Sequence, residues 1–167
     1  MPEAWLRGPL PGVAPELMPA AHALTQAAEE LEAAADLSPE QIWARPGGAA
    51  SIGFHLRHVA ASTDRLLTYA RGEPLSAAQR QALADEGRPG DPPASAAELL
   101  LGARAALEAA LAALRAADPA RLEDARTVGR AALPTTVRGL LGHVAEHATR
   151  HAGQVVTTAR VVRGLGH

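Results

Sequence analysis

Cysteine, lysine and asparagine are absent from this chain, and two tryptophans, one tyrosine and one phenylalanine are its only aromatic residues. Without cysteine there is no disulfide framework, no thiolate nucleophile and no Cys-ligated zinc or iron–sulfur centre, so any metal site must be built from His, Asp or Glu. The 16 basic residues are all arginine and face 18 acids, for a formal charge of -2. That balance excludes the basic surface on which nucleic-acid binding usually rests. No apolar run approaches the roughly 20 residues of a membrane span, and MPEAWLRGPLPGV lacks the basic stretch and apolar run of a secretory signal. The expectation is a cytoplasmic protein with no nucleic-acid and no membrane partner.

What remains is rich in Ala, Leu, Arg and Glu, and poor in β-branched residues, so helix is expected wherever Gly and Pro are absent. Four long helices are predicted. The first runs from Pro15 to Asp36, with Leu17, Leu24 and Leu31 at helical spacing. LSPEQIWARPGGAAS breaks it, with Ser38 and Glu40 opening a short turn of helix. The second follows the N-cap Ser51 and runs to Arg71, stopped by Gly72 and Pro74. A short helix over 76–84 and an irregular loop, DEGRPGDPP, come next. The third starts at Ser95, three residues before Glu98 in a capping-box pattern, and ends before Pro119. The fourth starts near Thr135 or Thr136, runs to Arg163 and is capped by Gly164. With one apolar face each, these helices predict an all-α fold, a four-helix bundle forming a single domain over 1–167.

The stretch GHVAEHATRHAGQ spaces His143, His147 and His151 four residues apart. At about 100° per residue they fall at about 0°, 40° and 80° around the fourth helix, with Gln154 at about 20°. Leu141, Val144, Ala148, Val155 and Val162 border this stripe, whereas Glu146, Arg150, Arg160 and Arg163 occupy the far side, so the histidines turn toward the interior. A lone inward histidine is usually satisfied by one hydrogen bond. Three buried imidazoles are costly unless each has a partner, and a divalent cation satisfies several nitrogens at once. The i, i+4 spacing lets two rings converge on one ion. A third ligand must come from another helix, and SIGFHLRHVAAS offers His55 and His58. Both lie at or beside the inward face, and helix geometry alone does not choose between them. His58 shares its stripe with Ser62, Arg65 and Tyr69, a polar line ill suited to simple packing. The two His-rich helices must then pack side by side.

Other features read more plainly. His143 to His147 spells H-x-x-E-H, a peptidase zinc motif, but Glu146 points roughly 100° away from His147 toward the charged face. His22 lies opposite Leu24 and Leu31, on a surface or dimer face. Trp5 and Trp43 flank turns and are expected to seal the ends of the bundle. His167 is expected to be exposed.

Taken together, SIGFHLRHV and, some 80 residues later, LLGHVAEHATRHAGQ resemble the DinB/YfiT-like family. The resemblance spans nearly the whole chain and is anchored on His147, His151, Gly153 and Gln154 together with the S-I-G-x-x-x-x-H string ending at His58. It implies a four-helix bundle, often a homodimer, in which His58, His147 and His151 hold a divalent metal ion, nickel or zinc. His143 and His55 become pocket neighbours, and Arg65, Tyr69 and Gln154 become candidate contacts to an anionic substrate. Where relatives often carry a further His before the last ligand, this chain has Arg150. Three neutral imidazoles leave the ion an open position, as in catalytic sites, where water or an incoming thiolate can be activated. The resemblance implies a thiol-dependent S-transferase or detoxification enzyme using a low-molecular-weight thiol and a small-molecule substrate. A metal-dependent hydrolase and a non-catalytic metal-binding bundle are the alternatives.

Overall fold

Alanine and leucine at helical spacing, with serine or threonine at the start of every α-helix but the first, build the frame. The computed structural model describes residues 1–165; the expectation for His167 lies outside them. The first long segment is α1, Met18–Leu31, extended by 3-10 turns at Pro15–Leu17 and Glu32–Ala34. A short α2, Pro39–Trp43, follows, opened by a capping box between Ser38 and Gln41. The second long helix, α3, covers Ile52–Arg71, and a short α4 covers Ala77–Asp85. The third, α5, spans Ala96–Ala116 behind a Ser95–Glu98 capping box, and the last, α6, spans Val137–Gly164. Thr136 caps α6 by accepting the Gly139 amide at 3.0 Å.

The four long helices close a ring in which α3 lies against α6 and α5, and α1 against α6 and α5. Each contributes one stripe to a continuous apolar core: Leu24 and Leu31 from α1, Leu56 and Val59 from α3, Leu107 and Leu114 from α5, Val144 and Val155 from α6. The bundle expected from the sequence is therefore present, with its two histidine-bearing helices adjacent.

One element departs from the expected pattern. Between α5 and α6 the chain forms an antiparallel hairpin, β1 at Ala125–Val128 and β2 at Leu133–Thr136, with Ala125 opposite Thr136. Strands of four residues are too short for their alternation to stand out in a helix-rich sequence. The hairpin fastens the end of α3 to the start of α6: Arg126 Nε donates to the Ala70 carbonyl at 2.8 Å, and Arg138 N donates to the Leu122 carbonyl at 2.8 Å.

The S-I-G string acquires a physical reading. Ser51 caps α3 by accepting the Phe54 amide at 3.1 Å, and Ile52 is fully buried. Gly53 leaves room for the Trp43 ring; a Cβ there would lie 2.8 Å from three of its carbons. Trp43 is further fixed by an Nε1 hydrogen bond to the Ala94 carbonyl at 2.9 Å and by the Arg57 guanidinium 4.8 Å above its ring. It seals its end of the bundle as expected. Trp5 does not: it is 62% exposed and donates to Glu3 at 2.7 Å, because the short N-terminal turn that carries it rests on α1 through Ala4 instead.

Gly53→Ala tests this close approach. Alanine gains about 1 kcal/mol in helix propensity, but overpacking costs about 1–3 kcal/mol. Urea unfolding should show net destabilisation, and in a Trp43→Ala background the same substitution should stabilise.

Candidate metal centre

Because α3 and α6 run side by side, residues three apart on one and four apart on the other meet across a single seam. His58 Nε2 lies 2.8 Å from His147 Nε2, and His55 Nδ1 lies 2.9 Å from His151 Nδ1. The His58 and His151 ring centroids are 4.6 Å apart, as are those of His147 and His151. One ligating nitrogen from each of His58, His147 and His151 falls within 4.8 Å of the other two. Of the two α3 histidines, His58 belongs to the group whose nitrogens lie within 4.8 Å of one another, while the buried His55 has its Nδ1 2.9 Å from His151.

The other candidates distribute around this cluster. His143 lies at the solvent edge, its ring 5.5 Å from that of His147 and its Nδ1 3.3 Å from Glu146. Glu146 is thereby engaged on the outer surface, as its helical angle implies. Gln154 is exposed and Tyr69 is half-buried against the core edge. Arg65 is buried, and its Nη1 donates to Glu86 at 2.8 Å. The guanidinium is thus committed to a carboxylate of the chain itself.

Two residues of the site were not anticipated. Phe54 stacks on His58 with centroids 5.3 Å apart and planes 16° apart, and meets His55 edge-on. Glu86 is buried and places one oxygen 2.6 Å from His58 Nδ1 while the other accepts from Arg65. Phe54 could have been noticed from its place between Gly53 and His55. Glu86 could not: it sits in DEGRPGDPP, 28 residues from His58, with no periodicity to mark it.

Burial sets the electrostatics. It lowers the His151 pKa to about 3 and the His147 pKa to about 4, with the neighbouring His58 adding to each shift. It lowers His55 as well. Burial pushes the Glu86 carboxyl upward, but hydrogen bonds from His58 and Arg65 outweigh this and hold it below its ordinary value. His55, His147 and His151 are thus held neutral, the form in which imidazole binds metals.

The donor set fits a divalent ion. His147 Nδ1 is buried without a hydrogen-bond partner, whereas a ring placed only for its hydrogen bonds would use both nitrogens. His147 uses the nitrogen that faces the cluster. Tetrahedral coordination at Zn–N distances of about 2.0–2.1 Å separates ligand nitrogens by about 3.3 Å, so the His58–His147 contact need open by only a fraction of an ångström.

The metal-free protein should lose stability as pH falls from about 6.5 through about 4 and 3. The unfolded chain takes up protons that the buried rings refuse, so acidification favours unfolding. Denaturant midpoints between neutral pH and the acid limb should show this slope, and His151→Gln should flatten it.

Comparison with known proteins places this geometry in a family. No curated protein matches the chain. The family model described as the DinB superfamily matches residues 23–155, which include α3 and α5 whole, most of α1 and α6, and every histidine of the cluster. With the bundle and the histidine seam both in place, the chain belongs to the DinB superfamily.

Proposed function

We propose that this protein is a metal-dependent enzyme in which His58, His147 and His151 hold one divalent ion, nickel or zinc, and a low-molecular-weight thiol reacts with a small electrophilic substrate. The observation that carries the reading is the convergence of three imidazole nitrogens, from two helices, within 4.8 Å. When bound, the ion supplies a Lewis-acid centre that favours the thiolate form of a thiol. In S-transfer the thiol gives its proton to solvent, its sulfur forms a bond to an electrophilic carbon, and the leaving group departs with the electron pair of the broken bond.

The chain's own residues prepare this chemistry. Desolvation keeps His147 and His151 neutral, so their lone pairs remain available near neutral pH. Phe54 covers one face of His58 and limits water on that side. The opposite rim is more open: the His58 side chain keeps 18% of its surface exposed and that of His143 45%. An accessible rim supports a catalytic over a closed structural site. His143, exposed and with its ring 5.5 Å from that of His147, is the side chain in place there to meet an anionic substrate, because Arg65 is already paired with Glu86. Glu146, the general base that the H-x-x-E-H string would supply to the hydrolase alternative, faces outward toward His143. For the homodimer, the face we propose is the groove between α1 and α6, about 630 Å³, floored by Ala20, Ala23, Gly142 and Ala145 and lined also by Glu16, Arg138, Glu146 and Arg150. No helix among the described residues is long and apolar enough to cross a membrane.

Elemental analysis of protein purified without a polyhistidine tag tests the site. About one equivalent of nickel or zinc per chain is expected, as three ligands plus one open position require a single ion. His58→Ala, His147→Ala and His151→Ala should each lose it, whereas His143→Ala should retain it and His55→Ala should retain it at saturating metal. Absence of metal under every loading condition would refute the ligand assignment. Consumption of free thiol with an electrophile, abolished by chelation, then separates S-transfer from hydrolysis.

A further inference from the structure

The three ligand rings are not supported equally. The outer nitrogen of His151 meets His55, a neutral imidazole, and Nδ1 of His147 meets nothing. Only His58 is backed by a charge, with its Nδ1 2.6 Å from Glu86 Oε2. Arg65 holds the other carboxylate oxygen at 2.8 Å, so the carboxylate is gripped from both sides and cannot rotate away.

From this asymmetry we infer that Glu86 is a positioning residue of the metal centre: it holds the His58 proton on Nδ1, so that the Nε2 lone pair faces the other two ligands. The inference rests on the metal-binding reading of that cluster. A carboxylate accepting from the outer nitrogen fixes the tautomer and raises the basicity of the ligating one. Nδ1–H is not the form that free histidine side chains prefer in water, so something must select it. Glu86 is the group in place to do so.

Its position in the chain adds a second consequence. Glu86 is the single buried residue between positions 72 and 95, and α4 buries none of its own side chains. The segment is otherwise tied down by polar bonds. Gln79 donates to Asp64 at 2.8 Å and to Thr68 at 2.7 Å, and Arg57 donates to the Pro89 carbonyl at 3.1 Å. A contact that helps hold this segment to the bundle, beside the Gln79 bonds that seat α4, is therefore the same one that orients a ligand.

Two readouts test this, one independent of metal. In the metal-free protein, long-range nitrogen–proton correlation spectra at mildly alkaline pH should show the His58 proton on Nδ1, and in Glu86→Ala it should move toward Nε2. Zinc affinity, measured by competition with a chromogenic chelator, should fall about 10-fold in Glu86→Gln and about 100-fold in Glu86→Ala. Glu86→Gln preserves shape and guards against loss of α4 as the explanation. A bare Nδ1 in the wild-type protein, or variants that bind zinc as tightly as wild type, would overturn the inference. If wild type binds no zinc at all, the metal reading fails while the Nδ1 result still judges the role of Glu86. A merely structural anchor would loosen α4 without moving either readout.

Discussion

The close packing of α3 on α6 is the constraint from which the site follows. Two helices can bring polar rings together inside a bundle only if the surrounding side chains exclude water and the backbones approach closely. Leu56 and Val59 on α3 and Val144 and Val155 on α6 supply the first condition; Ala148 and Ala152, buried between histidine turns, supply the second. The apolar contacts that stabilise the bundle therefore also desolvate the imidazoles. Desolvation penalises the charged form, which is why His147 and His151 remain neutral far below the ordinary imidazole range. Fold stability and ligand readiness come from the same burial.

That burial carries a cost, and its location is informative. A buried ring nitrogen without a partner is destabilising by roughly 1–3 kcal/mol, and His147 Nδ1 is such an atom. A sequence selected for packing alone would place leucine or alanine there, as it does along α5. The retained imidazoles are consistent with a group that binds the folded chain and not the unfolded one, whose affinity adds to folding free energy by mass action. The rings at the rim show the opposite logic. His143 keeps nearly half of its side chain exposed and stands at the entrance.

Much of the frame was legible because its signals are local and repeat. The capping-box pattern at Ser95, the αL glycine at Gly72 and leucines at helical spacing announce where helices start, stop and face. The histidine seam was legible for the same reason, since four-residue spacing puts rings on one stripe before any tertiary contact is known. The choice between His55 and His58 was not, because it depends on the rotation of α3 against α6, a property of the pair. The hairpin was hidden by its brevity. Trp5 was misread because an aromatic beside a turn has no sequence mark that separates a plug from an exposed ring.

Glu86 was illegible for a deeper reason. A carboxylate acquires its role from what faces it, and here those partners are His58 and Arg65, on a different helix and two turns apart. Acidic residues in a Gly- and Pro-rich connection are ordinarily solvated, and composition gives no reason to treat this one otherwise. Its burial requires α4 to fold back along α3, and the signals that produce that return are the Ser76–Gln79 capping box and the bonds from Gln79 to Asp64 and Thr68. None of these touches the histidines. A short polar helix with no core of its own can thus reach into the histidine cluster, by delivering one carboxylate to a place where the bundle holds the His58 imidazole and has buried the Arg65 guanidinium. Removing its charge would leave Arg65 buried and unpaired, which costs more than the loss of a surface ion pair. The arrangement therefore ties the electrostatic balance of the bundle interior to the same atom contacts that orient His58.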